Sequence, residues 1–237
     1  MNKELESFAY VSSHDLQEPL RKIQIFSGRI LDKENDKLSD NGKKYFHIMQ
    51  DSANRMQILI EDLLAFSGLS TAERKFEVYD LNTVIENVKL ELKESIEEKH
   101  AIIESNELCT ANIVVFQFHQ LIQNLISNSL KFTKPDQRPH IIIKSNIIKG
   151  SAVKGIKFPP DRNYCHISLS DNGIGFEKKF YSKIFEVFQK LHGIGEYAGT
   201  GIGLAIVRKI VDNHNGVITV KSKLNKGTSF DIYIPAI

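Results

Sequence analysis

Apolar residues recur at helical spacing in the N-terminal third of the chain. The pattern predicts one helix from Leu5 to about Leu31 and, after the polar stretch 32–37, a second that begins near residues 39–42 and fades near 67–68. The apolar positions are Leu5, Phe8, Leu16, Leu20, Ile23, Phe26 and Ile30 in the first helix, and Tyr45, Met49, Met56, Leu59 and Leu63 in the second. A lone hairpin would leave much of both stripes exposed. We therefore predict a homodimer whose hairpins form a four-helix bundle, with packing on the rest of the same chain as the alternative.

Beyond residue 74 the pattern alternates between strands and helices. Strands are predicted at 76–79, 101–105, 140–147, 164–170, 217–223 and 228–234, with helices at 81–99, at 115–132 and from Gly201 onward. The stretch 149–161 is typical of a long hairpin loop. These elements predict an α+β sandwich with helices on one face of a mixed sheet. The domains are accordingly residues 1–73 and 74–237.

Composition narrows the class of protein. The chain is 41% hydrophobic and 25% charged with a net charge of +2, which favours neither a nucleic acid nor a membrane surface as partner. It contains no apolar run of about 18 residues and begins with charged residues, so neither a membrane span nor a secretory signal is expected. Cys109 and Cys165 have no metal-binding or redox spacing, and free thiols in a cytoplasmic chain are expected. Membrane anchoring elsewhere in a longer protein is compatible with this interpretation.

A histidine stands opposite the apolar stripe of the first helix. At about 100° per residue, His14 is predicted to face solvent together with Glu18. Asp15 follows it directly, and a carboxylate can keep one ring nitrogen protonated while the other retains its lone pair. Pro19 is expected to bend the helix nearby. An exposed histidine is usually only a solvated side chain, so this pattern alone is weak.

The helix predicted at 115–132 has a polar face. Gln120, Asn124, Asn128 and Lys131 lie on one side, opposite an apolar side. Amide oxygens suit Mg²⁺, which prefers oxygen ligands and keeps several waters. A merely solvated face is the alternative.

Two glycine-containing stretches follow strand-like or flexible segments. Asp171, Gly173 and Gly175 follow the strand at 164–170, where a carboxylate can accept a hydrogen bond from an adenine amino group and bare backbone lets the ring approach. A plain turn is the alternative, and it is the commoner role of Asp-Asn-Gly. The stretch 199–203 opens a helix whose N–H groups can bind an anion. A dinucleotide fold would need a strand directly before these glycines, but the stretch 193–198, whose Gly193 and Gly195 are typical of a mobile lid, precedes them instead. The chain has neither a P-loop nor the motifs of Ser/Thr/Tyr kinases.

Taken together, these segments resemble the sensor histidine kinases of two-component systems, in a phytochrome-like variant. Residues 8–22 resemble the H-box, 120–132 the N-box, 171–176 the G1 box, 183–192 the F-box and 199–205 the G2 box, in the family's order. The resemblance implies that His14 is the phosphoacceptor and Asp15 its acidic helper. It implies that Asn128 is a Mg²⁺ ligand, that Asn124 and Lys131 face the phosphates of ATP, and that Asp171 recognises adenine. The remaining implied nucleotide contacts are Gly173, Gly175, Phe188, Gly199, Thr200, Gly201, Gly203 and Leu204.

The implied activity is autophosphorylation of His14 from Mg-ATP, followed by transfer to a response-regulator receiver domain. Glu18 stands where many members of the family have Thr or Asn, which puts phosphatase activity in doubt because a carboxylate repels a phosphoryl group. A conformational ATPase of the Hsp90 or MutL kind is one alternative, but such enzymes need a carboxylate on the N-box helix, and residues 119–132 contain none. A non-catalytic dimeric scaffold is the other, and its expected mark is a broken motif.

Overall fold

The computed structural model describes residues 3–71, 75–153, 155–191 and 199–236, with side chains from residue 16 onward and without those of 70 and 71. The chain divides into two compact units. One comprises Met1–Ala72 with Ala198–Ile202, and the other Glu73–Tyr197 with Gly203–Ile237. No helix within the described residues is both long and apolar enough to cross a membrane.

The first unit is a helical hairpin. Helix α1 spans Lys3–Lys33 and includes Pro19, and helix α2 spans Asp40–Thr71, with a short 3-10 turn at Asn35–Lys37 between them. Ser39 caps α2, because its Oγ accepts a hydrogen bond from the Gly42 N–H at 3.2 Å. The interface between the helices is narrow: Leu20, Ala53 and Ile60 are buried together, with Leu64 packed against them.

Much of the predicted apolar stripe stays exposed in the hairpin. Leu16 is 55% exposed, Phe26 57% and Tyr45 63%, and Ile23, Met49 and Met56 are also exposed. A water-facing apolar face of this extent marks a surface that buries against something else.

The second unit is an α+β sandwich. Its described residues form seven strands, which are β1 Glu77–Asp80, β2 Ile102–Ser105, β3 Thr110–Ile113, β4 His140–Lys149, β5 Asn163–Asp171, β6 Val217–Lys223 and β7 Gly227–Pro235. A mixed sheet has the order β2-β4-β5-β7-β6, with only β2 and β4 parallel, and β1 pairs with β3 in a separate ribbon. The helices are α3 Leu81–Glu91, α4 Lys93–Glu98, α5 Val115–Lys131 and α6 Gly203–Asn213.

Alternation along the strands places the core on one face of the sheet. On β5, Ile167 and Leu169 are buried, whereas His166 and Ser168, which alternate with them, are only partly covered. The apolar side of α5 supplies Phe118, Leu121 and Leu125 to the same core, all fully buried. The predicted α+β fold is confirmed, and β5 and α5 carry the polar residues discussed below.

Three local predictions are wrong. The sequence pattern missed β3, and the helix expected at 81–99 is two helices with a break at Leu92. Cys109 and Cys165 form a disulfide with their Cα atoms 7.2 Å apart, so they are not free thiols. Both reach β4: the N–H of Cys109 donates to Ser145 Oγ at 2.7 Å, and Cys165 pairs with Ile147.

Candidate functional site

The polar side of α5 approaches the start of α6. The side-chain amide of Asn124 donates to the Gln120 carbonyl at 2.8 Å, which orients its Oδ1 atom. A Cβ at Gly203 would lie only 2.6 Å from that Oδ1, so a larger residue at the N-terminus of α6 would force the Asn124 amide to move. Asn128 and Lys131 lie further along the same side of α5, both half-buried.

The carboxylate of Asp171 is held at the end of β5 by three donors. Its Oδ1 accepts from the N–H groups of Gly173 at 2.8 Å and Thr228 at 3.1 Å, and its Oδ2 accepts from Ser129 Oγ at 3.3 Å. Burial raises the pKa of Asp171, while the hydrogen bonds from Gly173, Thr228 and Ser129 oppose that rise. Oδ1 therefore accepts both of its hydrogen bonds from the backbone, whereas Oδ2 keeps lone pairs that can accept a hydrogen bond from a ligand.

Close backbone contacts surround this carboxylate. Gly175 has φ +59° and Gly227 has φ +97°, both in the left-handed region. A Cβ on Gly227 would overlap the Asp171 carbonyl, and one on Gly173 would lie 2.5 Å from the Phe132 carbonyl. The chain thus packs backbone directly against backbone around Asp171.

Two lysines approach each other at the end of α5. Lys131 lies over the Phe132 ring, with Nζ 4.5 Å from the centroid. Its pKa is lowered, first by burial and then by the positive charge of Lys190. A bound anion would offset the repulsion between these two cations.

The other predicted site residues are placed as follows. Leu204 lies in the first turn of α6 and is half-buried. Phe188 is 58% exposed and has φ +64°. Gly199, Thr200 and Gly201 belong to the first unit, in which the Thr200 hydroxyl donates to the carboxylate of Asp62. His14 and Asp15 lie in α1, but their side chains fall outside the described residues, as does the expected lid at 193–198.

Two contributors to the site were missed from the sequence. Ser129 received no role from the sequence pattern, yet its buried hydroxyl bonds Asp171 as well as the Leu125 carbonyl at 3.0 Å. A hydroxyl at an otherwise apolar helix position was the available signal. Thr228 acts through its main chain, so its residue type gave no signal.

Family comparisons match both parts of the chain. The family described as "Histidine kinase-, DNA gyrase B-, and HSP90-like ATPase" matches residues 114–237, and the "His Kinase A (phospho-acceptor) domain" matches residues 4–71.

Within the described residues, no group of three or more His, Cys, Asp or Glu side chains is placed to hold a metal ion.

Curated relatives are similar along almost the whole chain. Cyanobacterial phytochrome A of Nostoc sp. is 35% identical over 99% of this chain, and the phytochrome-like protein Cph1 of Synechocystis sp. is 33% identical over 99%. The chain spans only 29% of the length of each of these relatives.

Solved structures agree in fold. The structure of full-length ShkA in complex with AMPPNP has a TM-score of 0.70 at 23% identity, covering 97% of this chain and 46% of that one. The Acinetobacter baumannii histidine kinase AdeS has a TM-score of 0.60 at 20% identity, covering 94% and 98%. With both family domains matched in order over the fold described above, this chain belongs to the sensor histidine kinases.

Proposed function

We propose that this chain transfers the γ-phosphoryl group of ATP to His14 and then passes it to an aspartate of a response-regulator receiver domain. The observation that carries the proposal is the Asp171 site, where a partly buried carboxylate whose Oδ2 keeps lone pairs for a ligand lies at the end of a strand in a domain of the ATPase family. Residues 1–73 would serve dimerisation and phosphotransfer, and residues 74–237 would bind the nucleotide. Both ATP and receiver domains are cytoplasmic, so we place the reaction there.

On the nucleotide side, each described residue has a distinct role. Asp171 Oδ2 accepts a hydrogen bond from the adenine amino group, and Lys131 neutralises phosphate charge. Asn124, whose Oδ1 lies beside the start of α6, would face the phosphates together with the N–H groups of that helix. Asn128 offers a hard amide oxygen on the same helix side, which suits Mg²⁺, and this cation would supply charge neutralisation on the phosphates.

On the acceptor side, the chemistry needs a neutral imidazole with a free lone pair. Asp15 would hold the proton on one ring nitrogen of His14, so that the other nitrogen attacks the γ-phosphorus. The bond from the γ-phosphorus to the β,γ-bridging oxygen breaks as the new phosphorus–nitrogen bond forms, and ADP leaves with the electron pair. Because such a transition state asks mainly for alignment and charge neutralisation, the protein's task is positioning.

Dimerisation would cover the exposed face of the hairpin. Burial of an apolar side chain contributes roughly 1.5–3 kcal/mol, and several of the exposed residues named above lie along this face. A second copy provides a complementary stripe of the same kind, as in four-helix bundles.

Phosphatase activity is expected to be weak. Glu18 forms ion pairs with Arg21 at 2.9 Å and Lys22 at 3.5 Å. The hydrogen bond from Arg21 lowers the pKa of Glu18, so this carboxylate stays charged one helical turn after His14. Its charge would repel the phosphoryl group of a docked receiver domain.

The kinase proposal is tested by incubation with γ-labelled ATP and Mg²⁺. Wild type should acquire acid-labile, base-stable label, and His14→Gln should acquire none. The matched control is His47→Gln, which changes an exposed histidine on α2 and should label like wild type. Steady phosphate release without protein label would instead favour the conformational ATPase, and no nucleotide turnover at all would favour the scaffold.

A further inference from the structure

The strand β6 forms an edge of the main sheet and carries a free row of backbone groups. Its neighbour on one side is β7, and its other side faces the segment that contains Tyr181. The hydroxyl of Tyr181 donates to the Ser222 carbonyl and accepts from the Ser222 N–H, both at 2.6 Å. Ser222 therefore directs its N–H and C=O away from β7.

This orientation determines where the next backbone groups point. In an antiparallel pair, backbone groups alternate between the partner strand and the free side, so Val220 and Ile218 direct theirs the same way as Ser222. Tyr181 closes the edge at Ser222 only. Within the described residues, the free-side groups of Val220 and Ile218 have no hydrogen-bond partner.

A cleft of about 490 Å³ opens at these two residues. Its lining includes Tyr181, Phe185, Glu186, Arg208, Ile218 and Val220. None of these is a predicted nucleotide contact, so the cleft is distinct from the candidate ATP site. Its walls offer two aromatic rings beside the unpaired strand edge.

The rim of the cleft is positively charged. Lys183 and Lys221 are exposed and directly follow the lining residues Ser182 and Val220 in sequence, and Arg208 lines the cleft itself. Lys223, also exposed, lies two residues beyond Lys221 on β6. Three acidic groups oppose them: Glu186 lines the cleft, Asp212 pairs with Arg208 at 3.2 Å, and Asp231 pairs with Lys221 at 3.6 Å. Because the four cations outnumber these three carboxylates, the rim favours an acidic ligand.

We propose that this edge binds an extended, acidic peptide segment of a partner protein, which adds to the sheet as a sixth strand beside β6. Main-chain hydrogen bonds to Val220 and Ile218 would provide affinity, since unpaired edges commonly recruit strands in this way. A side chain of the peptide would lie against Tyr181 and Phe185, and its carboxylates would face Lys183 and Arg208.

Amide hydrogen exchange of the ¹⁵N-labelled chain, read by NMR, tests this geometry. In the free protein, the Val220 and Ile218 amides should exchange faster than those of Thr219 and Lys221, which donate to β7. Adding the blocked peptide Glu-Val-Glu-Val-Glu should slow exchange at Val220 and Ile218 by about tenfold or more at saturation. The blocked peptide Lys-Val-Lys-Val-Lys should bind about tenfold more weakly.

Two variants separate the edge from non-specific attraction. Val220→Pro removes the free-side N–H without removing a β7 ladder bond, and it should weaken the acidic peptide about tenfold. If that variant does not fold, Arg208→Glu should weaken binding about fivefold, while Lys209→Glu on the same helix leaves it unchanged. Slow exchange at Val220 in the free protein, equal binding of both peptides, or no binding at millimolar peptide would overturn the proposal.

Discussion

Replacing Asp171 by Asn changes one atom of the candidate adenine site while preserving its shape. The amide oxygen can keep both backbone hydrogen bonds that Asp171 Oδ1 now accepts from Gly173 and Thr228. The new Nδ2 takes the position of Oδ2. Ser129 tolerates the change, because its hydroxyl proton can go to the Leu125 carbonyl while its oxygen accepts from the amide.

The lost interaction sets the expected size of the effect. A hydrogen bond to a charged group contributes about 1.5–3 kcal/mol, which corresponds to about 10- to 150-fold in affinity for ATP. The amide also points a donor at the adenine amino group, which is itself a donor. Guanine carries an acceptor at that position, so Asp171→Asn should lower the ratio of the affinity for ATP to the affinity for GTP.

Isothermal titration calorimetry with ATP and GTP, at constant Mg²⁺ and near neutral pH, measures both effects. The matched control is Asp212→Asn, which makes the same change in charge at an exposed residue of α6 and should leave affinity within about twofold of wild type. Equal ATP affinities for the two variants, or an unchanged preference for ATP, would refute this role of Asp171.

Other predictions concern the same site and its surroundings. Without nucleotide, Asp171→Asn should be more stable than wild type near neutral pH. Burial raises the pKa of Asp171 in the folded state above its unfolded value of about 3.9. The stability that this carboxyl contributes is therefore complete only below the unfolded pKa and is lost as pH rises through the folded pKa. The difference in melting temperature between Asp171→Asn and wild type should therefore vanish in acid. A difference that stays constant with pH would contradict this prediction. Ser129→Ala removes one donor and should raise the Asp171 pKa further, measurable by carboxyl ¹³C NMR, whereas an unchanged pKa would show that the hydroxyl does not act on the carboxylate. Gly173→Ala should lower the free energy of unfolding by about 1–3 kcal/mol, because its Cβ meets a backbone carbonyl, whereas Gly68→Ala in the open should raise it by up to about 1 kcal/mol; urea denaturation distinguishes these signs. Glu18→Asn should speed dephosphorylation of a receiver domain relative to Glu18→Ala, and equal rates would argue against a role for this position.

Long periodic elements could be predicted from the sequence. Helix α5 begins at Val115 as expected, because its apolar side repeats over several turns. β5 likewise shows alternating burial and ends at Asp171, one residue after the predicted end of the strand. The polar side of α5 and the carboxylate at the strand end were therefore both visible as candidates.

Features that depend on distant partners were not predictable. Strand β3 is four residues long and is stabilised by pairing with β1, more than twenty residues earlier in the chain. The disulfide joins Cys109 to Cys165 across 56 residues of sequence, through strand packing that no local pattern encodes. The bond from Ser129 to Asp171 likewise arises only when α5 packs against β5.

Mapping the phosphorylated residue tests the central claim most directly. After incubation with Mg-ATP, the intact chain would be digested at mildly alkaline pH, where phosphohistidine survives, and sequenced by tandem mass spectrometry. We predict a phosphoryl group on His14. Phosphate confined to the neighbouring Ser12 or Ser13, or an unmodified peptide despite ATP consumption, would contradict the account.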